Sequence, residues 1–208
     1  MAVPRGLIRA RPEAMGDSSM ATAMDEAGRH VAEALSGYTA RDAAEAADVA
    51  RVRALVSDIA DPWPRTIPLH VTASAVIVHP GSGRVLLRWH EHMRSWLHVG
   101  GHGDPGESDP LVVALREGAE ETGLTDLTPW PDSSLVQVVV VSVPAKGDEP
   151  AHEHADLRYV LATDTPEAAR AERPGAPLRW LLPEEARRTA SEGNIREALA
   201  RVETLLAP

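Results

Sequence analysis

The chain has 208 residues, no cysteine, and a formal net charge of −10 from 21 Lys and Arg against 31 Asp and Glu. This length holds one α/β domain with a full core plus an appendage, and the missing cysteines exclude disulfides, zinc-thiolate sites and thiol catalysis. Lys146 is the only lysine and no basic run exists to neutralise a nucleic-acid backbone; no apolar run approaches the ~20 residues of a membrane span, and no signal core opens the chain, so a cytoplasmic protein is expected.

Residues 1–22 are small, polar and broken by Pro4, Gly6, Pro12 and Gly16, and are expected to be irregular. Met1, Met15, Met20 and Met24 all fall in or beside this stretch, which leaves an internal translation start open. Residues 23–62 read as two helices. Val31 and Leu35 mark the first, and Thr39 with Asp42 resembles a capping box opening the second. Val49, Val52, Leu55, Val56 and Ile59 give the second helix an apolar stripe near helical period. The stripes of this extension are expected to pack on the domain or on a second copy of the chain, a homodimer in the latter case.

A domain over 66–207 follows. Val71–His79 is β-rich, and Pro80-Gly81-Ser82-Gly83 turns it into a strand over Arg84–Trp89. Trp96–Val99 is short and extended, leading into a glycine-rich loop. A helix is expected over Pro110–Thr122, with Asp109 as N-cap, Pro110 at its first position and Gly123 closing it. Leu135–Val143 is nearly continuous valine, the pattern of a strand buried on both faces. Strands over Asp156–Thr163 and Leu178–Leu182 come next, separated by a surface linker over 164–177. An amphipathic helix carrying Ile195, Leu199, Val202 and Leu206 ends the chain.

The chemistry concentrates between Gly101 and Leu124, which reads GHGDPGESDPLVVALREGAEETGL. Glu117, Glu120 and Glu121 are spaced i, i+3, i+4, so a helix projects all three carboxylates from one face. Like charges there repel, and they cluster in the last turns, the wrong end to complement the helix dipole. Three carboxylates beside a glycine loop suit a hard divalent cation that prefers oxygen ligands and itself carries phosphate.

This stretch resembles the Nudix box, Gly-x5-Glu-x7-Arg-Glu-U-x-Glu-Glu-x-Gly-U, where U is aliphatic. Gly101 and Glu107 supply the first part, and Arg116 to Leu124 the second. Eight residues rather than seven separate Glu107 from Arg116, and Gly118 stands where an aliphatic residue is usual. The extra residue falls where loop becomes helix, and neither departure removes a carboxylate. The resemblance covers the domain and implies an α/β/α sandwich with a mixed sheet, to which the N-terminal helices are an addition. It further implies a Mg²⁺- or Mn²⁺-dependent hydrolase of a small-molecule phosphoric anhydride, such as a nucleoside diphosphate linked to another moiety. Glu117, Glu120 and Glu121 are then the metal ligands, and Arg116 pairs with Glu107 to hold loop against helix. Gly101 and Gly103 let the backbone approach metal or phosphate. His98, Trp96 and Arg158 are candidates for contact with substrate.

A second cluster lies in His152-Glu153-His154-Ala155-Asp156, whose alternate residues share one strand face. Isopentenyl-diphosphate isomerase, a relative on the same fold, has a strand start similar to Pro68-Leu69-His70 and a loop similar to Gly101-His102. By that resemblance His70, His102, His154 and Asp156 form a candidate second metal site. The isomerase reading itself is disfavoured, because the family's catalytic cysteine is replaced by Val99. A third reading is a nucleotide or metabolite sensor without catalysis, but such domains typically lose box carboxylates that all survive here.

Overall fold

The computed structural model describes residues 18–207, with side chains from Glu26 onward. The irregular stretch expected over 1–22 therefore lies outside the described residues as far as position 17, as do Met1 and Met15. From Ser18 the chain is helical: α1 spans Ser18–Ser36 and α2 Ala43–Asp58. The cap of α2 is not Thr39 but Asp42, whose carboxylate accepts from the Glu45 N–H at 2.9 Å, while Glu45 reaches back to the Arg41 N–H at 2.7 Å. The helix start expected at Thr39 thus lies three residues further on, and Glu45 reaches past the cap residue to the N–H before it.

Eight strands form one mixed sheet. β1 (Leu69–His79) is its axis: it pairs antiparallel with β2 (Arg84–His90) and β4 (Val99–His102), and parallel with β7 (His152–Ala162). β3 (Ser95–Leu97) and β8 (Leu178–Leu181) extend the β2 side. β5 (Thr128–Pro129) and β6 (Gln137–Val143) extend the β7 side. The parallel β1–β7 pairing needs a long crossover, and α3 (Pro110–Thr122) lies within it.

The period-2 alternation of β1 divides the core. Val71, Ala73, Ala75 and Ile77 pack with α1, α2 and α3 through Val31, Leu35, Val52, Leu55 and Val113. Val76 and Val78 pack on the opposite face against α4 (Pro183–Thr189) and α5 (Gly193–Leu206) through Ala186, Ile195, Leu199 and Val202. This is the α/β/α sandwich expected. The described apolar residues of α1 and α2, Ala27, Val31, Leu35, Val49, Val52 and Leu55, pack in the chain's own core. No described helix is long and apolar enough to cross a membrane.

Gly118 has a physical account here. A Cβ on it would stand 2.9 Å from Leu127 Cδ1, so the glycine lets α3 lie close on the sheet. β6 corrects the reading of a strand buried on both faces: it pairs only with β7, and Val139 to Val143 are partly or fully exposed. Its outer edge meets α2. The N–H groups of Val138 and Val140 donate to the Glu45 and Asp48 carboxylates at 3.3 and 3.0 Å. A valine-rich edge strand is tolerated because its free donors are covered.

Candidate active site

Asp109 caps α3 by accepting from the Leu111 N–H at 2.8 Å, Pro110 occupies its first turn, and Gly123 ends it at φ 68°. Those signals bound the helix, on which Glu117 and Glu121 face β4 while Glu120 is exposed beside them. Arg116 braces the arrangement. It forks onto Glu107 with two bonds of 2.9 Å, and donates to Glu117 at 3.0 Å, to Glu120 at 3.0 Å and to the His102 carbonyl at 2.9 Å. The extra residue between Glu107 and Arg116 is absorbed ahead of the cap and leaves this brace intact.

Glu117 and Glu121 tuck under the glycine strand. The Gly100 N–H donates to Glu121 Oε2 at 3.2 Å, and Gly100 has a φ of 146°, which a side chain rarely adopts. A Cβ on Gly101 would stand 2.6 Å from Glu117 Oε1. Gly103 has a different use: its missing side chain leaves room for the buried Trp63 ring. Burial pushes the Glu121 carboxyl up to about 7, with Glu117 and Glu172 adding to the rise while Arg88 and the Gly100 N–H oppose it. Burial raises Glu117 as well, against the pull of Arg116. A concentrated set of hard oxygen donors, held reluctantly ionised under a glycine backbone, fits a divalent cation such as Mg²⁺.

Arg88 also belongs to this site. Its guanidinium is buried, 3.1 Å from Glu121 and 3.0 Å from Glu172, and its Nε has no partner. A strand arginine carries no sequence signal for such a position.

The other expected substrate contacts are engaged elsewhere. Arg158 is buried and donates to Asp156 at 2.7 Å, Gln137 at 2.8 Å and Asn194 at the start of α5, so it is not free to reach phosphate. Trp96 packs edge-on against Trp89 beneath the Arg179 guanidinium. His98 turns inward, its Nε2 2.8 Å from Ser74 Oγ and its buried Nδ1 without a partner; burial lowers its pKa.

On the face of β4 opposite Glu117, four histidines meet. His70 pairs in register with His154 across β1 and β7, and His102 comes from β4. Asp156 does not join them, contrary to expectation. It lies two residues deeper along β7, where it accepts from Thr72 at 3.2 Å and Ser74 at 2.8 Å and pairs with Arg158. Burial would raise its carboxyl, but Arg158 and His98 hold it well below the usual range. His152 takes the fourth place instead. Burial, then Arg65 and the neighbouring rings, lower His102 to about 3, while burial and the neighbouring rings lower His154 to about 4, so both are neutral at pH 7.

A description of the NUDIX domain matches residues 68–202. A probable DHNTP pyrophosphohydrolase of Lactococcus lactis subsp. cremoris (strain MG1363) is 32% identical over 108 residues, 51% of this chain and 61% of that protein. The alignment therefore spans less than two thirds of that relative. Among solved structures, an Ap4A hydrolase of C. elegans superposes with a TM-score of 0.52 at 24% identity, covering 66% of this chain and 98% of that one. The E. coli dihydroneopterin triphosphate pyrophosphohydrolase gives 0.51 at 18% identity, over 63% and 92%. At such identities the likeness is one of fold.

Proposed function

The chain belongs to the Nudix family, and from that premise we propose that it is a Mg²⁺-dependent hydrolase of a phosphoric anhydride, acting on a nucleoside diphosphate linked to another moiety. The observation that carries this reading is Glu117 and Glu121 tucked under Gly101 and Gly100, with Glu120 beside them on the helix and Arg116 and Glu107 bracing the set. These three carboxylates would hold the cation, with Mn²⁺ as a substitute. Bound there, it supplies neutralising charge for diphosphate oxygens and acidifies water. The chain's own part is positional. Arg116 ties three carboxylates, Glu107, Glu117 and Glu120, to the carbonyl of His102 at the end of β4, so that loop and helix are held together. Arg88 balances the most buried carboxylate until a cation replaces that charge. Val99, where the isomerase has its cysteine, is buried in the core and offers no proton.

The test is release of phosphate or nucleotide from ADP-ribose, NADH, diadenosine polyphosphates, dihydroneopterin triphosphate, nucleotide sugars and NTPs, with Mg²⁺ or Mn²⁺ and with chelator. Turnover that needs the ion and falls by at least ~100-fold in Glu121→Gln is the expected result. Near-wild-type turnover of that variant would overturn the ligand assignment. Nucleotide binding with no turnover on any substrate would favour the sensor reading.

A further inference from the structure

Outside the carboxylate site, the strongest concentration of ligating atoms is the histidine cluster on the other face of the sheet. His70 starts β1, His152 and His154 start β7, and His102 ends β4, so three strands deliver four rings to one spot. Ring centroids lie 4.7 Å apart for His102–His154 and 5.0 Å for both His70–His154 and His152–His154. One ligand nitrogen from each of His70, His152 and His154 falls within 4.8 Å of the other two.

Hydrogen bonding fixes how two of the rings present themselves. His70 Nδ1 lies 2.9 Å from the Ile67 carbonyl, and His152 Nδ1 lies 2.9 Å from the Pro150 carbonyl. A carbonyl oxygen only accepts, so each Nδ1 carries a proton, which leaves Nε2 as the nitrogen available to a metal and turned into the cluster. A second ring nitrogen donating to a backbone carbonyl is the usual support of a metal-binding histidine. Nε2 of His102 lies 3.1 Å from Nε2 of His70, and Nε2 of His154 lies 3.1 Å from Nε2 of His152. A tetrahedral zinc site with bonds of ~2.0–2.1 Å has N···N edges of ~3.3–3.4 Å. Both close pairs are near such an edge, and the set that already lies within mutual ligand reach is His70, His152 and His154, with His102 adjoining it at His70.

We infer that His70, His152 and His154, joined by His102 moving in from beside His70, form a second metal site that takes a borderline ion of the Zn²⁺ type, chemically distinct from the carboxylate site. Four imidazoles suit Zn²⁺ and its neighbours, whereas Mg²⁺ requires oxygen ligands. Alternation along β4 separates the two sites: Gly101 faces Glu117, and the next side chain, His102, faces the other way. His70 is buried, the His152 side chain is only 8% exposed, and His102 and His154 are partly buried. Glu149, with a carboxylate oxygen 3.9 Å from His152 Nε2, lies beside the cluster. The inference stands independently of the hydrolase reading.

Chelator-treated protein titrated with Co²⁺, in excess Mg²⁺ to fill the carboxylates, tests it. Expected is one equivalent bound with the intense visible absorption of a four-coordinate nitrogen site, displaced by Zn²⁺ and retained in Glu121→Gln. His152→Ala and His102→Ala should each weaken Co²⁺ binding by more than the ~10–100-fold that loss of a supporting hydrogen bond brings. His70 is too buried for its variant to be decisive, but the wild-type titration is decisive without it. Absence of a stoichiometric four-coordinate band in the wild type, its survival in both histidine variants, or its loss in Glu121→Gln would each overturn the assignment.

Discussion

A cation and a proton compete for Glu121. Burial lifts its carboxyl to about 7, and the opposing pull of Arg88 and the Gly100 N–H keeps it from rising further. The folded value is raised, so the protonated form prevails below it and the ligand form above it. Mg²⁺ affinity should therefore fall as pH drops through about 7 and level off above, measured by calorimetric titration from about pH 5.5 to 8.5. A flat profile would remove Glu121 from the ligand set. Arg88→Gln leaves only the Gly100 N–H to oppose the rise and should move the midpoint to higher pH. At this scale the carboxylates were legible because spacing on a helix fixes a face. Asp156 and His152 were not separable by the same logic: alternation places both on one strand face, and only the pairing of His70 with His154 says which lies level with the rings.

Helix α3 owes its position to absent side chains. Gly118→Ala gains ~1 kcal/mol of helix propensity but brings a methyl to 2.9 Å from Leu127 Cδ1, the movable end of a side chain. The two effects should nearly cancel, leaving stability within ~1 kcal/mol of wild type by urea denaturation, whereas Gly118→Leu should lose at least ~1–3 kcal/mol to overpacking. Gly101→Ala is a contrasting case. Its methyl meets a carboxylate oxygen at 2.6 Å, so cation binding should suffer far more than stability; equal losses in both would mean that Glu117 is not held under that glycine. The caps, α3, β1 and β2 could be read locally from Asp109, Pro110, Gly123 and the turn at residues 80–83. The status of β6 could not, since a valine run looks alike whether the next element is another strand or the acidic side of α2.

Arg201 joins parts of the molecule that share no sequence neighbourhood. Buried on α5, it forks onto Glu45 of α2 at 2.6 and 3.1 Å, and donates to Tyr38 and to the Val136 carbonyl beside β6. Burial alone would raise Glu45, but Arg201, the Arg41 N–H and Tyr38 outweigh it and hold the carboxyl at about 2. A depressed folded value stabilises above the unfolded one, near 4.3, and that contribution fades as pH falls from there through about 2. Arg201→Met should cost ~3–5 kcal/mol by stranding a buried carboxylate, and adding Glu45→Leu should restore much of it. A loss under ~1 kcal/mol in guanidinium denaturation would show that the clasp is not needed. No local pattern announces a pair separated by 156 positions.

The carboxylates of α2 along β6 also settle where the folding unit can be cut. A chain shortened to the family-matched stretch 68–202 would keep every box residue yet bare the amides of Val138 and Val140 on a row of valines. Such a strip is a template on which another chain can lay down a strand. If the extension guards that edge, light scattering of the shortened chain should report growth that rises with concentration and is absent from the 208-residue chain.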